Sequence, residues 1–229
     1  SDAGPLIQMP AALSFPMNMK RYDWEYLAEP EASLDGRRLV CPRGKVLGGS
    51  SSINGMIYVR GNAGDYDHWQ ETGADGWSYA DVLPYFRRME HAHGGAAGWR
   101  GSAGPLHVTR GPRDNPLHDA FVTAATEVGY AAVDDYNGYR QEGFGAADMT
   151  VWQGRRWSAA NAYLRPALRR GNVKLVSGAL VEKILIDGKT ATGVAYWKAG
   201  KRHEATARAE TLLAARATNS PHPIPRPAG

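Results

Sequence analysis

The stretch Arg43-Gly44-Lys45-Val46-Leu47-Gly48-Gly49-Ser50-Ser51-Ser52-Ile53-Asn54-Gly55-Met56-Ile57 decides how the rest of the chain is read. Its glycines suit a backbone that passes close to another group, because no Cβ stands in the way. Paired glycines let main-chain N–H groups approach an anion, and the serine hydroxyls with Lys45 can complete a phosphate or pyrophosphate cradle. A Gly/Ser surface linker has the same composition, but the embedded Val46, Leu47, Ile53, Met56 and Ile57 argue against it. Two sharper motifs fail. A P-loop needs its lysine followed by Ser or Thr, and Lys45 is followed by Val46. A nucleophile elbow needs Gly-x-Ser-x-Gly, whereas Gly48-Gly49-Ser50-Ser51 runs into Ser52.

Outward from this segment the pattern becomes periodic. Ser78 with Asp81 makes a capping box, and Val82, Leu83, Tyr85, Phe86 and Met89 supply an apolar helical face to about His91, with Pro84 inside it. Asn115 caps a second helix with Pro116 at its first position, closed by Gly129, and a third is predicted over Ser158–Arg170. From Asn172 strands follow at Val173–Val176, Leu180–Ile186 and Thr192–Trp197, a β-meander turning at Asp187-Gly188. A short apolar strand at Glu210–Ala215 has the character of a parallel-sheet interior. Residues 1–43 read as loop, broken by Pro5, Pro10, Pro16 and Pro30, with one extended piece around Tyr22, Trp24 and Tyr26. The chain ends His222-Pro-Ile-Pro-Arg-Pro-Ala-Gly229, which cannot continue a helix.

Composition narrows the function classes. At 229 residues and 43% hydrophobic the chain can bury a core, which excludes a disordered tail or a collagen-like repeat. The net charge of +4 is spread in doublets such as Arg37-Arg38, Arg155-Arg156 and Arg169-Arg170, without the clustering of a nucleic-acid footprint. Cys41 is the single cysteine, so no intramolecular disulfide forms and a reducing compartment is expected. No apolar run is long enough to span a membrane, and the first residues lack the pattern of a signal peptide. His91 and His93 have a ligand-like spacing, but before Gly94-Gly95 and without a nearby carboxylate they read as a solvated loop. His68, His107, His118 and His203 stand alone in the sequence, so neither a metal site nor a general base is named.

Gly44 through Asn54, followed by Tyr58, Gly61 and Asp67, resembles the first signature of the glucose-methanol-choline (GMC) flavoprotein oxidoreductases. The likeness extends over residues 1 to about 221, through Gln8–Leu13, Tyr58–Ala63, Asp134–Gly138 with Gln141–Gly145, and Gln153–Arg156. It implies an α/β, Rossmann-like FAD-binding fold with α+β character, and residues 222–229 as a proline-rich tail outside the family pattern. It assigns Val46, Gly48, Gly49, Ser50, Asn54, Gly55, Met56 and Ile57 to cofactor contact, and the main chain of Val181 to the adenine. Ile53 stands where some members carry the histidine that attaches the flavin, so the resemblance implies FAD held non-covalently.

The resemblance also implies FAD-dependent oxidation of a primary alcohol such as choline to its aldehyde, without nucleic acid as a partner and in the cytoplasm or at a membrane face. Family members begin with a Gly-x-Gly-x-x-Gly βαβ unit and place their catalytic histidine far toward the C-terminus. Neither has a counterpart here, so no catalytic residue is assigned, and the expectation is a truncated or frame-shifted chain without turnover of its own. Arg216 replaces a family glycine beside the cofactor site. A GMC enzyme for another alcohol, or a remnant that binds nothing, are the rival readings. Tyr22, Trp24 and Tyr26 would suit either packing or the faces that receive a quaternary ammonium.

Overall fold

Proline sets the rhythm of the first residues. Pro5, Pro10 and Pro16, with φ already near the helical value, open α1 (Pro5–Gln8) and two 3₁₀ turns, Pro10–Ala12 and Pro16–Asn18. These short turns deliver Ile7, Ala12 and Pro16 to the interior. The computed structural model describes residues 2–215, and the chain divides into two units, 1–172 and 173–229. Arg216 and the proline-rich tail lie outside the described residues.

In the first unit, β1 (Tyr26–Leu27) pairs antiparallel with β2 (Val40–Cys41), Tyr26 opposite Cys41. Ile7, Tyr22 and Ile53 form a buried cluster with Met17, Met19 and Val46 against it, so the glycine-serine segment is fastened to the N-terminal turns. Tyr22 is therefore a packing residue. Trp24 and Tyr26 stack on each other, with the Lys45 ammonium over the Trp24 ring.

After that segment come α2 (Ala63–Glu71), capped by Asn62, and α3 (Tyr79–Met89), whose Ser78–Asp81 capping box is present as expected. The chain does not remain helical to His91. At Glu90 it enters β3 (Glu90–Ala92), which runs parallel to β4 (Leu106–Arg110); β5 (Asp148–Met149) pairs antiparallel with β4. Next in sequence after β4, α4 (Pro116–Glu127) starts at the Asn115 cap. A hairpin joins β6 (Val151–Trp152) to β7 (Arg155–Arg156) through Gln153 and Gly154, both at positive φ, as a two-residue turn of this hand requires. The third predicted helix is a π-helical turn, Ala160–Leu164, that runs into α5 (Arg165–Arg169).

The second unit is an antiparallel meander of β8 (Ala179–Asp187), β9 (Thr190–Lys198) and β10 (Lys201–Thr206). Two expectations fail here. Among the described residues Val173–Val176 has no strand partner, and Glu210–Ala215 is irregular with Leu212 81% exposed. A strand needs a neighbour to receive its N–H and C=O groups, and the third place in this sheet is taken by Lys201–Thr206. That strand is exposed at every position and carries no alternation for a sequence reading to find.

Candidate functional site

The glycine-serine segment folds as a hairpin-like loop held by its own side chains. Gly44 N–H donates to Ser50 Oγ at 2.9 Å, Ser51 Oγ–H to the Gly48 carbonyl at 2.6 Å, and Ser52 Oγ–H to the Leu47 carbonyl at 2.7 Å. Ser51 Oγ also accepts from Ala159 N–H at 2.9 Å. The serines thus serve the loop's own geometry, a correction to the reading in which they line a phosphate cradle. Lys45, engaged with Trp24, is diverted as well.

Two glycines are demanded by this shape. A Cβ on Gly44 would stand 2.3 Å from the Gly49 carbonyl oxygen, and Gly48, at φ +84°, has Ser52 Oγ 2.4 Å from where its Cβ would be. Gly48 and Gly49, both left-handed, lead into the 3₁₀ turn Gly49–Ser52. Gly55 differs, since a Cβ there would meet no atom of the described residues within 4 Å. Among the described residues, open space therefore faces Gly55, next to exposed Asn54, while Met56 after it is buried.

Beneath the loop lies Arg156, fully buried on β7. Its Nε donates to the Ile7 carbonyl at 2.9 Å, and its Nη1 to the Asn54 carbonyl at 2.6 Å and to Asn54 Oδ1 at 2.8 Å. Its Nη2 is buried without a hydrogen-bond partner among the described residues. Those acceptors are neutral, and burial pulls the guanidinium pKa down to about 10. Asn54 Oδ1 in turn accepts from Met56 N–H at 3.1 Å, helping to hold Met56 at φ +63°. Sequence reading named Arg156 within a basic doublet and within the Gln153–Arg156 segment of the resemblance, without a role of its own. The signal it missed is alternation in the hairpin, which turns Arg156 inward while Arg155 remains exposed.

The exit of the loop is fixed by ionic contacts. Arg60 Nη2 donates to Glu90 Oε1 at 2.6 Å, Arg100 Nε to the same oxygen at 2.9 Å, and Arg100 Nη1 to Asp148 Oδ2 at 2.8 Å. Asn137 and Tyr136 donate to the Tyr58 carbonyl at 3.1 and 2.8 Å. Burial, with Glu90 nearby, holds the Tyr58 phenol well above the usual tyrosine range, so it stays neutral.

Of the residues expected to contact a cofactor, Val46, Gly48, Gly49, Ser50, Asn54, Gly55, Met56 and Ile57 share this one loop. Ile53 points into the cluster with Ile7 and Tyr22. Val181 lies on β8 of the second unit, opposite Tyr196. The histidines correct another expectation. His91 is on a strand, its register partner is His107, and His93 Nε2 lies 2.9 Å from His107 Nδ1. Burial, then the neighbouring imidazole of His91, lowers the pKa of both His93 and His107, which favours their neutral form.

The described residues form a mixed α/β framework that carries a glycine-rich loop with a buried arginine beneath it. The family model of the GMC oxidoreductases matches residues 18–226, and the chain belongs to that family, whose N-terminal domain binds FAD. It is 62% identical over 220 residues to an oxygen-dependent choline dehydrogenase of Brucella anthropi, and 59% identical over 221 residues to one of Rhizobium johnstonii. In each case the match covers 96% of this chain, which spans 40% of the relative's length. Among solved structures, pyridoxine 4-oxidase from Mesorbium loti superposes with a TM-score of 0.83 at 29% identity, covering 89% of this chain and 40% of that one. An FAD-dependent oxidoreductase from Chaetomium thermophilum gives 0.80 at 29% identity, over 91% and 38%.

Proposed function

We propose that the chain is the flavin-loop portion of an FAD-dependent alcohol dehydrogenase that oxidises choline to betaine aldehyde. The reading takes residues 1–221 as the family part and 222–229 as an added tail, in the cytoplasm, with a small alcohol as the partner. When bound, FAD would supply the hydride acceptor. The residues of this chain have a holding role: the main chain of Val46, Gly48, Gly49, Ser50, Asn54, Gly55, Met56 and Ile57 contacts the cofactor, and that of Val181 meets the adenine.

The observation that carries the reading is the division of labour in the loop. Its serine hydroxyls are turned to internal bonds, while the main chain at Gly55 faces open space. A buried guanidinium whose acceptors are neutral carbonyls adds a positive field under that main chain, favourable to an anionic dinucleotide. Burial of Ile53 in the cluster with Ile7 and Tyr22 leaves no nucleophile at that position, in keeping with a dissociable flavin.

The test uses Gly55→Val in the full chain. The side chain enters open space, so the fold is expected to keep its stability while FAD affinity falls at least tenfold. Unchanged affinity in a folded variant would remove the loop from the cofactor site. The choice of choline rests on the 62% identity to the Brucella anthropi enzyme, and substrate profiling of a longer chain carrying this sequence would decide it.

A further inference from the structure

We propose that His91, His93 and His107 bind one divalent transition-metal ion of the zinc class. The topology makes the juxtaposition. His91 and His93 stand two residues apart, so an extended chain turns both side chains to one face. His107 is the register partner of His91 on the parallel neighbour β4 and joins them there. The result is a three-imidazole face in which the ligand nitrogens all lie within 4.8 Å of one another.

The distances fit one ion. A tetrahedral zinc at about 2.1 Å from each imidazole nitrogen holds those nitrogens roughly 3.4 Å apart. His93 Nε2 and His107 Nδ1 are already 2.9 Å apart, and a ring nitrogen of His91 lies within 4.8 Å of both. A contact that short between two ring nitrogens also requires one of them to be an unprotonated acceptor, the form that ligates a metal.

The rings are ordered before any ion arrives. Trp152 stacks on His93 and His107 with centroids 4.0 and 4.4 Å away, and Trp157 meets His107 edge-on at 5.2 Å. Trp157 is itself tied by its indole N–H to the Pro105 carbonyl at 2.8 Å. Packing of this kind lowers the entropy lost on binding. An all-imidazole set suits zinc, nickel or copper(II), whereas magnesium and calcium require oxygen ligands. Three protein ligands leave a fourth position to water. The site is separate from the flavin loop in its residues, and a chain that takes no FAD can still take the ion.

The experiment is a zinc titration of the full, chelator-stripped chain against a chromogenic chelator. Wild type is expected to take one ion per chain, and His93→Asn with His107→Asn to weaken binding at least a hundredfold. His68→Asn and His203→Asn, on exposed histidines elsewhere, are expected to leave it unchanged. Failure of wild type to take an ion, equal affinity in the double variant, or an equal loss in the His68 and His203 variants would overturn the proposal. Should the double variant not fold, electron paramagnetic resonance of copper(II) on wild type decides. Hyperfine splitting from two or more nitrogens supports the site, and one or none overturns it.

Discussion

Glycine makes three different statements within a dozen residues, and substitution separates them. Gly44→Ala drives a methyl group to 2.3 Å from a backbone oxygen, and Gly48→Ala sets one at φ +84° against Ser52 and Ala160. Gly48→Ala is expected to cost roughly 1–3 kcal/mol in urea unfolding and Gly44→Ala more, because the main chain itself must move. Gly55→Ala meets open space and is expected to be neutral or slightly stabilising, since alanine restricts the unfolded chain. Arg156→Ala should lower stability by about 3 kcal/mol, from a cavity plus orphaned carbonyls at Ile7 and Asn54. The glycines were legible in the sequence because their spacing has few other uses. The role of Arg156 was not, because its partners lie more than a hundred residues away, as for Asn54, and those of the serines were not, because which hydroxyl turns back onto the loop depends on the path of the turn itself.

Helices that join an end signal to an apolar face were found, and α2, which has the Asn62 cap but no apolar face, was not. The Ser78 box and the Asn115–Pro116 start both appear in place, and Asn115→Ala is expected to cost about 1 kcal/mol of the unfolding free energy. By contrast α2 buries no residue and β10 is exposed throughout, so neither shows an apolar period. β3 is short and continues directly from α3, which hid the strand that carries His91. What fixes β3 is Glu90, fully buried, accepting from Arg60, Arg100 and the Gly101 amide. Glu90→Gln leaves Arg60 buried without its charged partner and should lower stability by about 3–5 kcal/mol. A thermal midpoint within a degree of wild type would remove Glu90 from its place as the keystone of this layer.

At the scale of the molecule, family membership was readable from one loop, because the main-chain path of Gly44–Ile57 depends on glycine at few, fixed places. The strands of the second unit were half legible: the Asp187-Gly188 turn and the two strands flanking it were correct, whereas the third strand lay on the other side of β9 from the one expected. The central claim is that this loop holds FAD by its main chain. Titration of the full chain with FAD tests it most directly, following flavin fluorescence while far-UV circular dichroism reports the fold. Saturable quenching is expected, with an affinity that Gly55→Val lowers at least tenfold without altering the circular dichroism. A folded wild-type chain that gives no saturable quenching, or a Gly55→Val chain that quenches as wild type does, would contradict it.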